Sequence, residues 1–153
     1  MQTTTHYLQT TVPVRLDALT ADAPRRWGRM TPQHAVEHLA GVLRISNGKA
    51  EVPLAVPPEH LPKALVFLRS DRTFRPETKA PLLPAEPLPL RFPDIAEAKR
   101  RLRREVDDFY AYHEAHPDAR PMHPAFGPLD RADWERFHAK HFAHHFRQFG
   151  LEE

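Results

Sequence analysis

Ten of the chain's 17 prolines fall between Glu51 and Pro93. Proline has no amide hydrogen to donate and its ring collides with the preceding turn, so no regular helix passes through Pro76, Pro81, Pro84, Pro87 and Pro89. The flanking sequence carries helical punctuation instead. Thr31-Pro32 is an N-cap followed by proline at the first helical position, and Gly48 suits the left-handed residue that ends a helix, so a helix is predicted over 31–48. Asp94 with Glu97 forms a capping-box pattern for a second helix over 94–116, along which Ile95, Ala98, Leu102, Val106 and Phe109 keep helical spacing. Asp130 with Asp133 opens a third helix over 130–149, closed by Gly150. A shorter helix from Val14 to Leu19, or longer, is expected before the Pro24–Gly28 turn. Another is expected from Leu61 to Leu68, inside the proline-rich stretch.

Five glycines and no convincing alternation of β-branched residues make the expected class all-α. The 51–93 connection is too long for a simple up-and-down bundle. It suits a four-helix bundle with a long Pro-rich crossover between the second and third long helices. Leu82, Leu83, Leu88, Leu90 and Phe92 predict that this crossover packs on the surface as a strap.

A length of 153 residues fits a single domain, 1–153, able to bury a core. A formal charge of +2 gives no reason to expect a polyanionic partner. Arg100, Arg101, Arg103 and Arg104 read as the solvated face of their helix, and Glu105, Asp107 and Asp108 as helix-face charges. The absence of cysteine excludes disulfides, thiolate ligands and a cysteine nucleophile. The first residues have neither a basic nor an apolar leader region, and no apolar run reaches membrane-spanning length. A cytoplasmic protein without a membrane partner is expected.

The third helix carries His138, His141, His144 and His145 within eight residues. Residues four apart on a helix share a face, so His141 and His145 point the same way, with Gln148 on the same line. Trp134, Phe137, Phe142, Phe146 and Phe149 flank that line, while Lys140, Arg147 and Arg136 fall elsewhere. The pair therefore sits on the inward face, where two imidazoles can ligate one metal ion. A third ligand is available in the 31–48 helix. His38 lies at the edge of the buried arc centred on Val36, Leu39 and Leu43, whereas Glu37 points outward and His34 sits in the wetter first turn. Helical bundles build metal sites from side chains of facing helices, which makes His38, His141 and His145 the expected set.

Met30-Thr-Pro-Gln-His-Ala-Val-Glu-His38-Leu, followed by His141-Phe-Ala-His144-His145-Phe-Arg-Gln148-Phe-Gly, resembles the DinB-like superfamily. The closest likeness is to a branch carrying Trp-Gly-x-Met-Thr and His-Pro-x-Phe-Gly, present here as Trp27–Thr31 and His123–Gly127. The resemblance runs from about Val14 to Leu151 and is weakest through the proline-rich stretch. It implies a four-helix bundle holding a divalent metal through His38, His141 and His145, with Gln148 at the position of the glutamine that follows the pair. It also implies the group's activities, metal-dependent hydrolysis or thiol S-transfer with bacillithiol or mycothiol. The transferases commonly have Arg-Gly before that glutamine, where this chain has Phe146-Arg147, a departure that touches thiol specificity more than the metal site.

Three neutral imidazoles leave coordination positions open, where a water of lowered pKa can act as nucleophile or a thiol can be held as thiolate. Zinc, nickel, iron and cobalt all suit such ligands. Gln148 and His144 are candidates to orient a ligand or water, although His144 also reads as a partly exposed surface residue. His123 could reach the mouth of the site or cap the last helix. Trp134, Phe137 and Phe142 are the expected apolar wall. The expected function is a metal-dependent thiol S-transferase or hydrolase acting on a small electrophilic compound, with a low-molecular-weight thiol as cosubstrate in the first case. The alternative is a non-catalytic metal-binding or stress-response interaction protein, and a homodimer is an open option. Near-neutral charge and the lack of a recognition-helix pattern speak against direct DNA binding.

Overall fold

The computed structural model describes residues 6–76 and 86–153, which are helical apart from one short hairpin and the connecting segments. A π-helical turn, Tyr7–Thr11, runs into α1 (Val12–Ala18). Four more helices follow: α2 (Pro32–Ser46), α3 (Leu61–Leu68), α4 (Ile95–Ala115) and α5 (Arg131–Gln148). Strands β1 (Met122–His123) and β2 (Gly127–Pro128) pair antiparallel just ahead of α5. No helix among the described residues is long and apolar enough to cross a membrane.

The caps act where the sequence places them, with changes of detail. Thr31 accepts from the His34 amide at 3.2 Å, and the Thr31 amide donates back to His34 Nδ1 at 3.2 Å, so a histidine takes the place usually held by Glu or Gln in a capping box. Asp94 accepts from the Glu97 amide at 2.8 Å, but the Glu97 side chain turns to Arg100 and leaves the expected box half made. Asp130 likewise accepts from the Asp133 amide at 2.9 Å, while Asp133 pairs with Arg69 and Arg136. The N-terminal helix begins earlier than Val14, because Leu8, Val12 and Leu16, spaced by four, turn one face into the core. Val14 itself is 62 % exposed.

α2 packs mainly on α4 and also on α5. Val36, Leu39 and Leu43 join Leu102, Phe109, Trp134 and Phe142 in one buried cluster. Each such side chain, fully buried, stabilises the fold by about 1.5–3 kcal/mol. A polar network closes the far end of α2. Glu105, expected on a solvated face, is fully buried and accepts from Lys49 Nζ at 2.6 Å, Asn47 Nδ2 at 3.1 Å and Arg44 Nη1 at 3.2 Å. Burial alone would raise its carboxyl pKa; these three donors outweigh burial and lower it. The Ser46 hydroxyl donates to Leu43 O, so its second contact, at 2.8 Å, must be a hydrogen bond donated by His138 Nε2.

Leu68, with Leu65 beside it, anchors the early part of the proline-rich segment in the core, whereas its later part is stitched to α2 by polar contacts. Glu37, expected to point freely outward, accepts from the Arg91 amide at 2.7 Å and the Phe92 amide at 3.3 Å. Gln33 Nε2 donates to Phe92 O at 2.8 Å. Leu88 and Leu90 are 58 % and 46 % exposed, so they do not pack as expected, whereas Phe92 is half-buried against the core. Leu82 and Leu83 lie outside the described residues. Earlier in the crossover, Arg69 forks onto Asp133 and Lys140 Nζ donates to Ser70 O at 2.7 Å, laying the segment after α3 along α5.

Gly48 ends α2 at φ +81°, and a Cβ there would fall 2.4 Å from Tyr112 Cε1. Gly48→Ala should therefore cost on the order of 1–3 kcal/mol in denaturant unfolding. Gly41, inside α2 with nothing near its missing Cβ, should gain about 0.5–1 kcal/mol as Gly41→Ala. Equal behaviour of the two variants would contradict this account of the α2 terminus.

Candidate metal centre

His38 comes from the middle of α2, and His141 and His145 come from successive turns of α5. Their rings form a nearly equilateral triangle. Centroids lie 4.8 Å apart for His38 and His141, 5.2 Å for His38 and His145, and 4.9 Å for His141 and His145, with steep interplanar angles of 88°, 73° and 68°. His38 Nε2 and His141 Nε2 approach to 2.9 Å. One potential ligand atom from each residue can be chosen so that all three lie within 4.8 Å of one another. Among the described residues, this is the one group of three or more His, Asp or Glu side chains so arranged. The expected ligand set is thus brought together.

The site is dry. His141 and His145 are 8 % and 7 % exposed. Burial first, and then the neighbouring imidazoles, drive the pKa of both well below the ordinary histidine value. Burial and the nearby His144 lower His38 to about 4. All three rings are therefore neutral at pH 7, the form in which an imidazole offers a lone pair. His141 Nδ1 is buried without a hydrogen-bond partner, while His145 Nδ1 lies 2.8 Å from Gln148 Oε1.

The remaining candidates separate. Gln148 is buried and directly attached to a member of the triad. His144, which the sequence leaves between a site role and a surface role, is buried against Trp27 at 5.4 Å and Phe74 at 6.0 Å. His123 does not cap α5, whose N-cap is Asp130. Its Nδ1 accepts from the Ala125 and Phe126 amides at 2.9 and 3.3 Å, which shapes the hairpin, and its ring packs on Phe137 at 4.2 Å.

The apolar wall also differs from expectation. Phe137 does lie against His141, at 5.1 Å. Trp134, however, stacks on His138 and donates from Nε1 to Pro121 O, and Phe142 pairs with Phe146. Phe74 and Trp27 lie instead against His144, the neighbour of His145, the first from the proline-rich segment, where no periodicity marks it. His138, the fourth histidine of α5, is a core residue bonded to Ser46 and stacked on Trp134. Its position three residues before His141 already places it on the inward arc.

This fold and site define a helical protein with a three-histidine cluster, buried at His141 and His145 and partly exposed at His38. A family model described as protein of unknown function (DUF1569) matches residues 58–151, more than half of the chain, which therefore belongs to that family. The match covers His141, His145 and Gln148 and stops short of the helix that carries His38. No curated protein and no solved structure matches the chain.

Burial lowers the pKa of His123 and His138 to about 3, and that of His144 to about 4. A group whose folded pKa lies below its unfolded value takes up its proton preferentially in the unfolded chain, so stability is full above about pH 6.5 and falls as pH drops towards the folded value. Each of these histidines then costs roughly 1 kcal/mol per pH unit in that window. Denaturant unfolding from pH 8 to pH 4 should show a steep acid-side loss that begins near pH 6.5; a flat profile would contradict burial of neutral histidines.

Proposed function

We propose that the protein is a divalent-metal-dependent enzyme of small-molecule chemistry, a thiol S-transferase or a hydrolase acting on an electrophilic compound. The observation that carries this reading is the convergence of His38, His141 and His145 from two helices into one cluster. The donor set fits an ion that accepts neutral nitrogen ligands, such as zinc, nickel or iron. When bound, such an ion supplies Lewis acidity and lowers the pKa of a coordinated water or thiol.

The chain's own residues supply holding, orientation and exclusion of water. His38 and the α5 pair hold the ion from two elements whose spacing is set by the core between them. Gln148 orients His145 by its hydrogen bond. Phe137, Phe74 and Trp27 present aromatic surface to a small organic substrate, and His144 stands between the last two rings. In the same proposal the π turn with α1, α2, α4 and α5 are the four helices of a DinB-like bundle, and the proline-rich segment is its crossover. The order and spacing of the Trp27–Thr31, His38, His123–Gly127 and His141–Gln148 motifs support that kinship.

Elemental analysis of the purified chain should find about one divalent ion per molecule, bound more weakly as pH falls and the ligand histidines protonate. His141→Ala and His145→Ala should retain no stoichiometric metal and no turnover in a panel of thiols with electrophiles, esters and amides. Metal retention without turnover anywhere in that panel would put the non-catalytic metal-binding reading first. Full activity of His141→Ala would overturn metal-dependent catalysis.

A further inference from the structure

We propose that the Trp27–Gly28 turn is the positioning element of the centre: acting through Gln148, it sets the tautomer of His145 and so decides which nitrogen that ring can offer as a ligand. The proposal rests on the three-histidine reading above. A glutamine amide can be turned either way, and a neutral imidazole can carry its proton on either nitrogen. Left to themselves, Gln148 and His145 could pair in two equivalent ways. The Trp27 carbonyl removes that freedom, because a carbonyl only accepts. Gln148 Nε2 donates to Trp27 O at 3.1 Å, which leaves Oε1 facing His145 Nδ1 at 2.8 Å. Oε1 also only accepts, so the proton of His145 belongs on Nδ1. The lone pair is then confined to Nε2, the nitrogen free to ligate.

The turn is shaped for this contact. Gly28 has φ +77°, and a Cβ there would lie 3.0 Å from Gln148 Nε2, so both its backbone conformation and the approach of the amide call for glycine. The Arg26 amide donates to Gln148 O at 2.7 Å, tethering the backbone of the same glutamine. Arg25 Nε donates to Gly28 O at 2.9 Å and braces the turn. The Trp27 ring covers His144, the neighbour of His145, at 5.4 Å. One segment thus holds Gln148 by side chain and by backbone at once. Neither ring nitrogen of His145 would be selected without it.

The test is proton–nitrogen correlation NMR of the metal-free full-length chain near pH 7.5, paired with zinc affinity by competition with a chelating dye. Wild-type His145 should show the Nδ1-protonated neutral pattern. Gln148→Met and Gly28→Ala should each give a mixture of tautomers, and zinc affinity should fall by about 10- to 100-fold. Gly48→Ala, at a left-handed glycine that faces Tyr112 and not Gln148, should lose stability yet keep the wild-type His145 pattern. That contrast separates positioning from general destabilisation, and Gln148→Met decides the matter if Gly28→Ala does not fold. An Nε2-protonated His145 in the wild type, or an unchanged His145 pattern in Gln148→Met, overturns the proposal. Because the spectra are read without metal, the expected pattern and its loss in the variants support the turn's role even where zinc fails to bind. Failure of the wild type to bind any metal counts against the metal reading alone.

Discussion

Three imidazoles packed edge to face, two of them buried, favour the neutral form of every ring, and much of the local structure follows from that. A proton on any one would sit beside two other rings in a medium of low dielectric, without a carboxylate in the cluster to offset it. Neutral rings each present one donor and one acceptor, so their order depends on what their outer nitrogens meet. For His145 the partner is Gln148. His141 Nδ1 has none, and packing holds that ring, with Phe137 against its side.

α5 carries this centre and much of the core on one face. His138 and His141 are less than one full turn apart, yet the first is tied to the end of α2 through Ser46 and the second meets His38 in the middle of it. The two contacts fix both the rotation and the axial position of α5 against α2. Glu105, Lys49, Arg44 and Asn47 hold α2 against α4 near the same end. The spacing of the helices that carry the three histidines is therefore set by a polar network at one end and by the apolar cluster along their length.

The parts readable from sequence are those governed by local chemistry. Thr31, Asp94 and Asp130 cap by bonding amides three residues away, and Gly48 ends a helix by its own backbone freedom, so their neighbours suffice to identify them. The α5 pair is readable because helical period alone puts both rings on one side, and His38 because its position on the α2 wheel borders the buried arc. The failures are non-local. Glu105 looks like a surface charge until Arg44 and Lys49 arrive from about sixty positions away. Phe74 sits in a stretch without periodicity and gains its place only when Arg69 and Ser70 dock on α5. The π turn runs into α1 without a side-chain cap at Thr11, so no local signal marks the passage from one to the other.

The contacts that complete the centre join parts of the chain far apart in sequence, and this has a consequence for the order of assembly. His38 and His141 are separated by 103 positions, and Gln148 and Trp27 by 121. Closing loops of that length is entropically opposed, and the long-range apolar and polar contacts of α2, α4 and α5 offset it. During synthesis, no segment that ends before Gln148 contains every group the centre uses. The first helices can form and meet while the histidine cluster is still incomplete, so a newly made chain would lack its competent tri-imidazole face until translation has passed that glutamine and the last turn of α5 has docked.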